Sequence, residues 1–206
     1  MQLFIAAQHL LDKTRAFDFL APLALRLYLA PVFWLAAACA PAGMNKVNNF
    51  DSTVNWFGNP EWGLGLPFPW LMAFLATATE VLGAIALLIG IAVRWLAIPL
   101  MVTMLVAAFA VHWEHGWQTI ADPMFCLFNC EDAQEAAKRA ERGRAILKEH
   151  GNYDWLTEQG KFVILNNGIQ MAATYFIMLL SLFFTGAGRY LSVDYWVARG
   201  AGRQAA

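Results

Sequence analysis

The stretch from Leu66 to Val111 constrains this chain more than any other. It is an apolar run, a charged break at Arg94, and a second apolar run. At a helical rise of 1.5 Å per residue, about 20 apolar residues cross a bilayer core of about 30 Å. The stretch therefore reads as two membrane spans joined by a turn. A single acid, Glu80, interrupts the first run, and a short polar cluster of His112, Glu114 and His115 closes the second. A charged side chain near the bilayer centre costs roughly 2.5–3.5 kcal/mol on insertion scales and usually faces the interior of a bundle. Glu80 is the most informative residue of the sequence for that reason.

Further apolar segments flank this pair. Span one is expected over 19–42, spans two and three over 66–93 and 95–111, and span four over 162–187. The first is not a signal peptide, because its apolar stretch is too long and Arg26 lies inside it. Pro31 within it predicts a kink, tolerated where neighbours satisfy the freed carbonyl. The loop that follows interleaves turn formers with Trp56, Phe57 and Trp62, a pattern suited to the membrane surface. Between spans three and four lies a polar insertion, 114–161, in which Glu131–Glu149 reads as a helix. Gly151 stops it, Ala133, Ala136, Ala137, Ala140 and Leu147 form a weakly apolar face, and Glu135 can pair with Arg139 four residues on. The expected fold is all-α: a transmembrane four-helix bundle with an extra polar helix between spans three and four, in one integral membrane domain over 1–206. Composition agrees. Charged residues are 14% of the chain, against about 25% in soluble domains, and a net charge of -1 argues against a nucleic-acid partner.

Charge placement predicts topology. Lys13 and Arg15 precede span one, Arg94 joins spans two and three, and Arg189, Arg199 and Arg203 follow span four. The insertion holds nine acids against six bases. Basic residues concentrate on the cytoplasmic side, so both termini and Arg94 are expected there, in a bacterial inner membrane. The insertion then lies outside, in a compartment that permits disulfides.

Several polar residues are candidates for chemistry. Arg26 and Glu80 fall at depths that allow a buried pair. As structure such a pair orients two helices; as function it holds a polar ligand or tunes a proton-active carboxylate. Ala73, Ala76, Thr77, Gly83 and Ala84 surround Glu80 at helical spacing and permit close helix approach. His112 and His115 are candidate metal ligands, although H-W-E-H is not the H-E-x-x-H zincin spacing and also fits an interfacial cluster. Cys126 and Cys130 fit a structural disulfide, a copper or zinc dithiolate, or a redox-active dithiol. Cys39 reads as a packed thiol.

Arg26, Gly43, Lys46, Glu80, Gly83, Leu87, Leu88, Gly90 and Arg94 together resemble the DoxX family of small four-helix membrane proteins. The resemblance covers 21–111 well and span four loosely. The long insertion is similar to the subgroup associated with maturation of copper-binding, ribosomally made, modified peptides. The resemblance implies a bundle related to a subunit of thiosulfate:quinone oxidoreductase, with a quinone site drawing on Arg26, Glu80 and Lys46.

The leading functional expectation is a membrane accessory component of copper-peptide maturation or copper handling. In its mechanistic form, electrons or a proton pass between a quinone near Glu80 and thiols at Cys126 and Cys130. This form treats Glu80, Arg26, Cys126 and Cys130 as catalytic, and quinone and copper as cofactors. Two alternatives stand beside it. One is a non-enzymatic scaffold that binds a peptide or protein partner outside the membrane. The other is a small-solute or metal transporter, which with four spans requires a homodimer.

Overall fold

The structure is a computed structural model that describes residues 1, 8, 11–39, 46–121 and 127–202, without the side chains of Cys39, Asp132 and Ala133. The described residues are helical apart from turns and one isolated antiparallel bridge between Ile120 and Leu165. In chain order the helices are α1 (Leu20–Trp34), continued in wider π geometry by Leu35–Cys39, α2 (Phe50–Gly58), α3 (Pro69–Ile89) and α4 (Val93–Val106), itself continued as a π turn over Ala107–Val111. Then follow α5 (Cys130–His150), α6 (Tyr153–Leu156), α7 (Gln170–Thr185) and α8 (Val193–Gly200). Among the described residues, three helices are long and apolar enough to cross a membrane: Leu20–Ala38, Pro69–Ile89 and Val93–Val111. The chain is thus a multi-pass membrane protein. The apolar helix α7 has 16 residues, about 24 Å at the α-helical rise.

The helix ends follow local chemistry. Pro69 occupies the first position of α3, where the missing N–H is an orphan anyway, so the helix starts three residues later than the apolar run. Gly90 ends α3 at φ 72°, its N–H on the Ala86 carbonyl at 2.8 Å. The expected end at Val93 is corrected accordingly, because Val93 already belongs to α4. The fourth apolar helix begins at Gln170 and not at Phe162. The backbone of 164–170 instead pairs back onto 116–121, with Asn166 N–H on Thr119 O at 2.8 Å and Gly168 N–H on Gln118 O at 2.8 Å. The predicted insertion helix appears as α5 with one residue added at each end. Its Glu135 pairs with Lys138 at 2.7 Å, three residues away, and not with Arg139 as the spacing suggested.

The chain divides into two compact units, Met1–Thr103 with Ile177–Ala206, and Met104–Phe176. In the first, α1 buries Pro22, Arg26, Leu29, Ala30 and Phe33, a single helical face, which packs along α3. The opposing α3 face is Ala73, Thr77, Glu80, Gly83, Ala84 and Leu87. Between lipid-solvated helices, contact quality and small residues drive association more than water exclusion does. Gly83 shows this directly: a Cβ there would lie 2.7 Å from Leu100 Cδ1, so α4 approaches only because the side chain is absent. Short α2 packs against α3, with Phe57 buried and Phe50 edge-on to Trp70.

The second unit holds the polar insertion. Its small core joins Ala108, Ile169 and Ala172 to Ala107, Trp117 and Phe128. Helix α5 buries Ala136 and Ala140 on one face. At Gly143 a Cβ would lie 2.8 Å from Phe162 Cε1, so the glycine seats that ring.

Candidate functional site

Two buried charged groups of the first unit define its chemistry, and they are not partners. Arg26 is 1% exposed. Its Nε donates to Leu87 O at 2.8 Å, Nη2 to Leu88 O at 3.2 Å, and Nη1 to Ala187 O at 2.7 Å and Leu191 O at 3.1 Å. Leu87 and Leu88 lie in the last turn of α3, where carbonyls lack intrahelical donors. The guanidinium fills that need and also ties in the chain that follows α7. The expected Arg26–Glu80 pair is corrected here: every Arg26 nitrogen faces a carbonyl, and the Glu80 carboxylate meets Lys46.

Asp194 completes this end of the unit. Its carboxylate accepts from Ala92 N–H at 2.7 Å and Val93 N–H at 3.1 Å, capping the start of α4 from the sequence-distant helix α8. Its own N–H donates to Gly90 O at 3.0 Å. Arg94 Nε donates to Phe183 O at 2.9 Å. The turn between α3 and α4 is therefore held by a cation on one helix end and an anion on the next, the favourable polarity for both helix dipoles.

Glu80 sits elsewhere on α3, about 13–17 Å from either end at 1.5 Å per residue. It is 5% exposed. Lys46 Nζ donates to its Oε1 at 2.5 Å. The lysine reaches this depth because the chain folds back after α1, with Val47 N–H on Ala37 O at 3.1 Å. One helical turn before Glu80, Thr77 satisfies its own hydroxyl on Ala73 O at 2.8 Å. The second carboxylate oxygen, Oε2, is buried and has no hydrogen-bond partner among the described residues. A buried acceptor left in this state costs about 1–3 kcal/mol, more if charged. Nearby, α1 and α3 leave an apolar cleft of about 410 Å³ lined by Ala30, Pro31, Trp34, Ala84, Ile85 and Leu88. Its wall residue Ala84 is one turn from Glu80, and its size falls in the range of small-molecule sites, about 300–1,000 Å³.

His112, His115 and Cys130 lie in the second unit. His112 Nδ1 is 2.8 Å from Asn167 O. The His115 carbonyl accepts from Asn166 Nδ2 at 2.6 Å. Cys130 is disulfide-bonded. Cys126 and Gly43 lie outside the described residues. Among the described residues no three His, Cys, Asp or Glu side chains gather in a way that could hold a metal ion.

Sequence reasoning singled out Arg26 and Glu80 but paired them wrongly. It missed Asp194, whose only signal is an acid just after Ser192, a helix-start pattern at the chain's far end. Lys46 entered through the resemblance alone.

The fold and this site define a multi-pass helical membrane protein in which a part-buried lysine from the loop after α1 pairs with a buried glutamate of α3. Residues 21–113 match the family model described as DoxX, a region that contains both Arg26 and the Lys46–Glu80 pair. No curated protein and no solved structure matches the chain.

Proposed function

We propose that the chain is a four-span DoxX-family membrane subunit that binds a quinone-class redox lipid at Lys46 and Glu80. The observation that carries this reading is the buried Glu80 Oε2, an acceptor with no partner among the described residues, beside a lysine that supplies donors. A quinone-class lipid carries two oxygens on a compact ring: a ring oxygen can accept from the Lys46 ammonium, and in the reduced form a ring hydroxyl can donate to the Glu80 carboxylate. Lys46 and Glu80 would hold the ring and the apolar α1–α3 cleft would take the hydrocarbon tail. When bound, such a lipid supplies two-electron, two-proton redox capacity. The protein's own share is to place a fixed cation and a fixed acceptor in a low-dielectric setting, where both act strongly.

Arg26 drops out of the binding set in this reading, because its donors serve the α3 end and the chain after α7. The resemblance adds the setting: an accessory component in maturation of copper-binding modified peptides, in the bacterial inner membrane. Copper chemistry at Cys126 and Cys130 requires prior reduction, since a disulfide-bonded Cys130 offers no thiolate.

The test is organic extraction of protein purified in mild detergent, followed by mass analysis for quinone. The reading expects quinone in the wild-type protein, and its loss in Lys46→Met with helicity retained. A folded wild-type protein that neither retains quinone nor takes it up when supplied would refute it.

A specific observation also favours partner binding. Helix α5 buries Ala136 and Ala140 but leaves Glu135, Lys138, Arg139, Glu141 and Arg142 exposed. Under this second reading, deleting Glu131–Glu149 abolishes co-purification of a partner without altering quinone content.

A further inference from the structure

Resting on the quinone reading, we infer that the Lys46–Glu80 site discriminates the redox state of its lipid and holds the hydroxyl-bearing, reduced form more tightly than the oxidised form. The preference arises from the two lobes of one carboxylate. Oε1 is already met by the Lys46 ammonium at 2.5 Å. Oε2 is buried with no donor among the described residues. A carboxylate paired with an ammonium has only acceptor lone pairs to offer, and a lysine ammonium has only donors. The group that completes Oε2 must therefore bring an O–H or N–H.

The two forms of a quinone differ in that property as well as in ring electronics. The oxidised ring has two carbonyl oxygens and no donor. It can accept from Lys46, but it leaves Oε2 unsatisfied and places a second lone-pair oxygen against it. The reduced ring has two hydroxyls. One can donate to Oε2 while its oxygen still accepts from Lys46. Sites with buried polar groups reject an analogue that lacks the matching hydrogen far more strongly than they reject a small change in apolar size. The other polar groups of this α3 face do not supply the missing donor: the Thr77 hydroxyl is committed to Ala73 O at 2.8 Å, and the Arg26 nitrogens to carbonyls at the helix end.

The experiment compares three ligands of one skeleton, measured anaerobically by calorimetry on full-length protein in lipid nanodiscs. They are a decyl-substituted benzoquinone, its hydroquinone, and the dimethyl ether of that hydroquinone. The ether keeps the reduced ring but removes both donors, which separates hydrogen bonding from ring electronics. The inference expects the hydroquinone to bind at least about tenfold tighter than either of the others, the ratio for one hydrogen bond to a charged acceptor. In Glu80→Gln that preference falls below about threefold, since the amide loses the charged acceptor. Lys46→Met/Glu80→Gln removes both charges together and avoids a lone buried ammonium, so it serves if the single variant does not fold. It too should lose the preference. Equal or tighter binding of the oxidised form, or a preference that survives in these variants, overturns the inference and leaves the quinone reading standing. Absence of binding by all three ligands to folded wild-type protein overturns the reading and the inference with it.

Discussion

At Arg26, shape matters as much as charge. A guanidinium presents five N–H donors in a planar fork, whereas a lysine ammonium presents three from a single point. The four carbonyls that Arg26 meets are spread over the α3 end and the chain after α7, so Arg26→Lys leaves at least one of them buried without a donor. Arg26→Lys should therefore lower unfolding stability by about 2–4 kcal/mol, at about 1–3 kcal/mol per orphaned buried group. Chemical denaturation in detergent checks this, with quinone affinity of the folded fraction unchanged; wild-type stability would contradict it. Gly90 belongs to the same constraint. Its φ is 72° and a Cβ would sit 2.6 Å from Arg26 Cζ, so Gly90→Ala combines a left-handed backbone cost of about 1–2 kcal/mol with displacement of the guanidinium. Its effect should overlap that of Arg26→Lys in the double variant, because the two changes disturb one group.

Among the elements, α4 depends on a cap that the sequence around it does not contain. Asp194 reaches from α8 to the Ala92 and Val93 amides. Asp194→Ala should cost about 1 kcal/mol or somewhat more, the usual range for a lost cap. It should speed hydrogen exchange at those two amides while leaving the α5 amides unchanged, and unaltered exchange there would count against the cap. Helix α5 answers to pH in its own way. Its Glu135 carboxyl is held below the ordinary value by the Lys138 hydrogen bond, then by the Lys138 charge. A depressed carboxyl contributes above its unfolded value, and that contribution is lost as pH falls through the folded value. An NMR titration should place Glu135 below a reference glutamate, and Lys138→Met should bring it back.

These elements also show what a sequence can and cannot disclose. The long apolar helices were legible because lipid imposes length and composition on them. The α5 helix was legible from its caps and alanine face. Less was legible where distant segments meet. Arg26 and Glu80 looked like natural partners because opposite charges in neighbouring spans attract. Linear depth estimates ignore that an arginine can serve a helix end and that a loop can fold a lysine inward. The start of α7 was misplaced because residues 162–169 are as apolar as a span, yet the amides of 166–169 bond to carbonyls of 116–119.

For the molecule as a whole, the charge bias predicts one orientation. With Lys13, Arg15, Arg94, Arg189 and Arg199 on the cytoplasmic side and the acidic insertion outside, Glu158→Cys should react with a membrane-impermeant thiol reagent added to intact spheroplasts. Gly200→Cys, where a side chain meets nothing within 4 Å, should react only after lysis. The reverse pattern would overturn the topology. Under the proposed function, orientation would set which bilayer face the Lys46 loop addresses, and hence from which side a bound quinone would exchange protons.

The measurement that tests the account most directly is a double-mutant cycle in hydroquinone affinity across wild type, Lys46→Met, Glu80→Gln and the double variant. If the two side chains form one site, each single change weakens binding about tenfold or more, and the double change weakens it little further. Effects that multiply independently, or affinities unchanged in all variants, would show that the Lys46–Glu80 pair belongs to the scaffold and that the ligand site lies elsewhere.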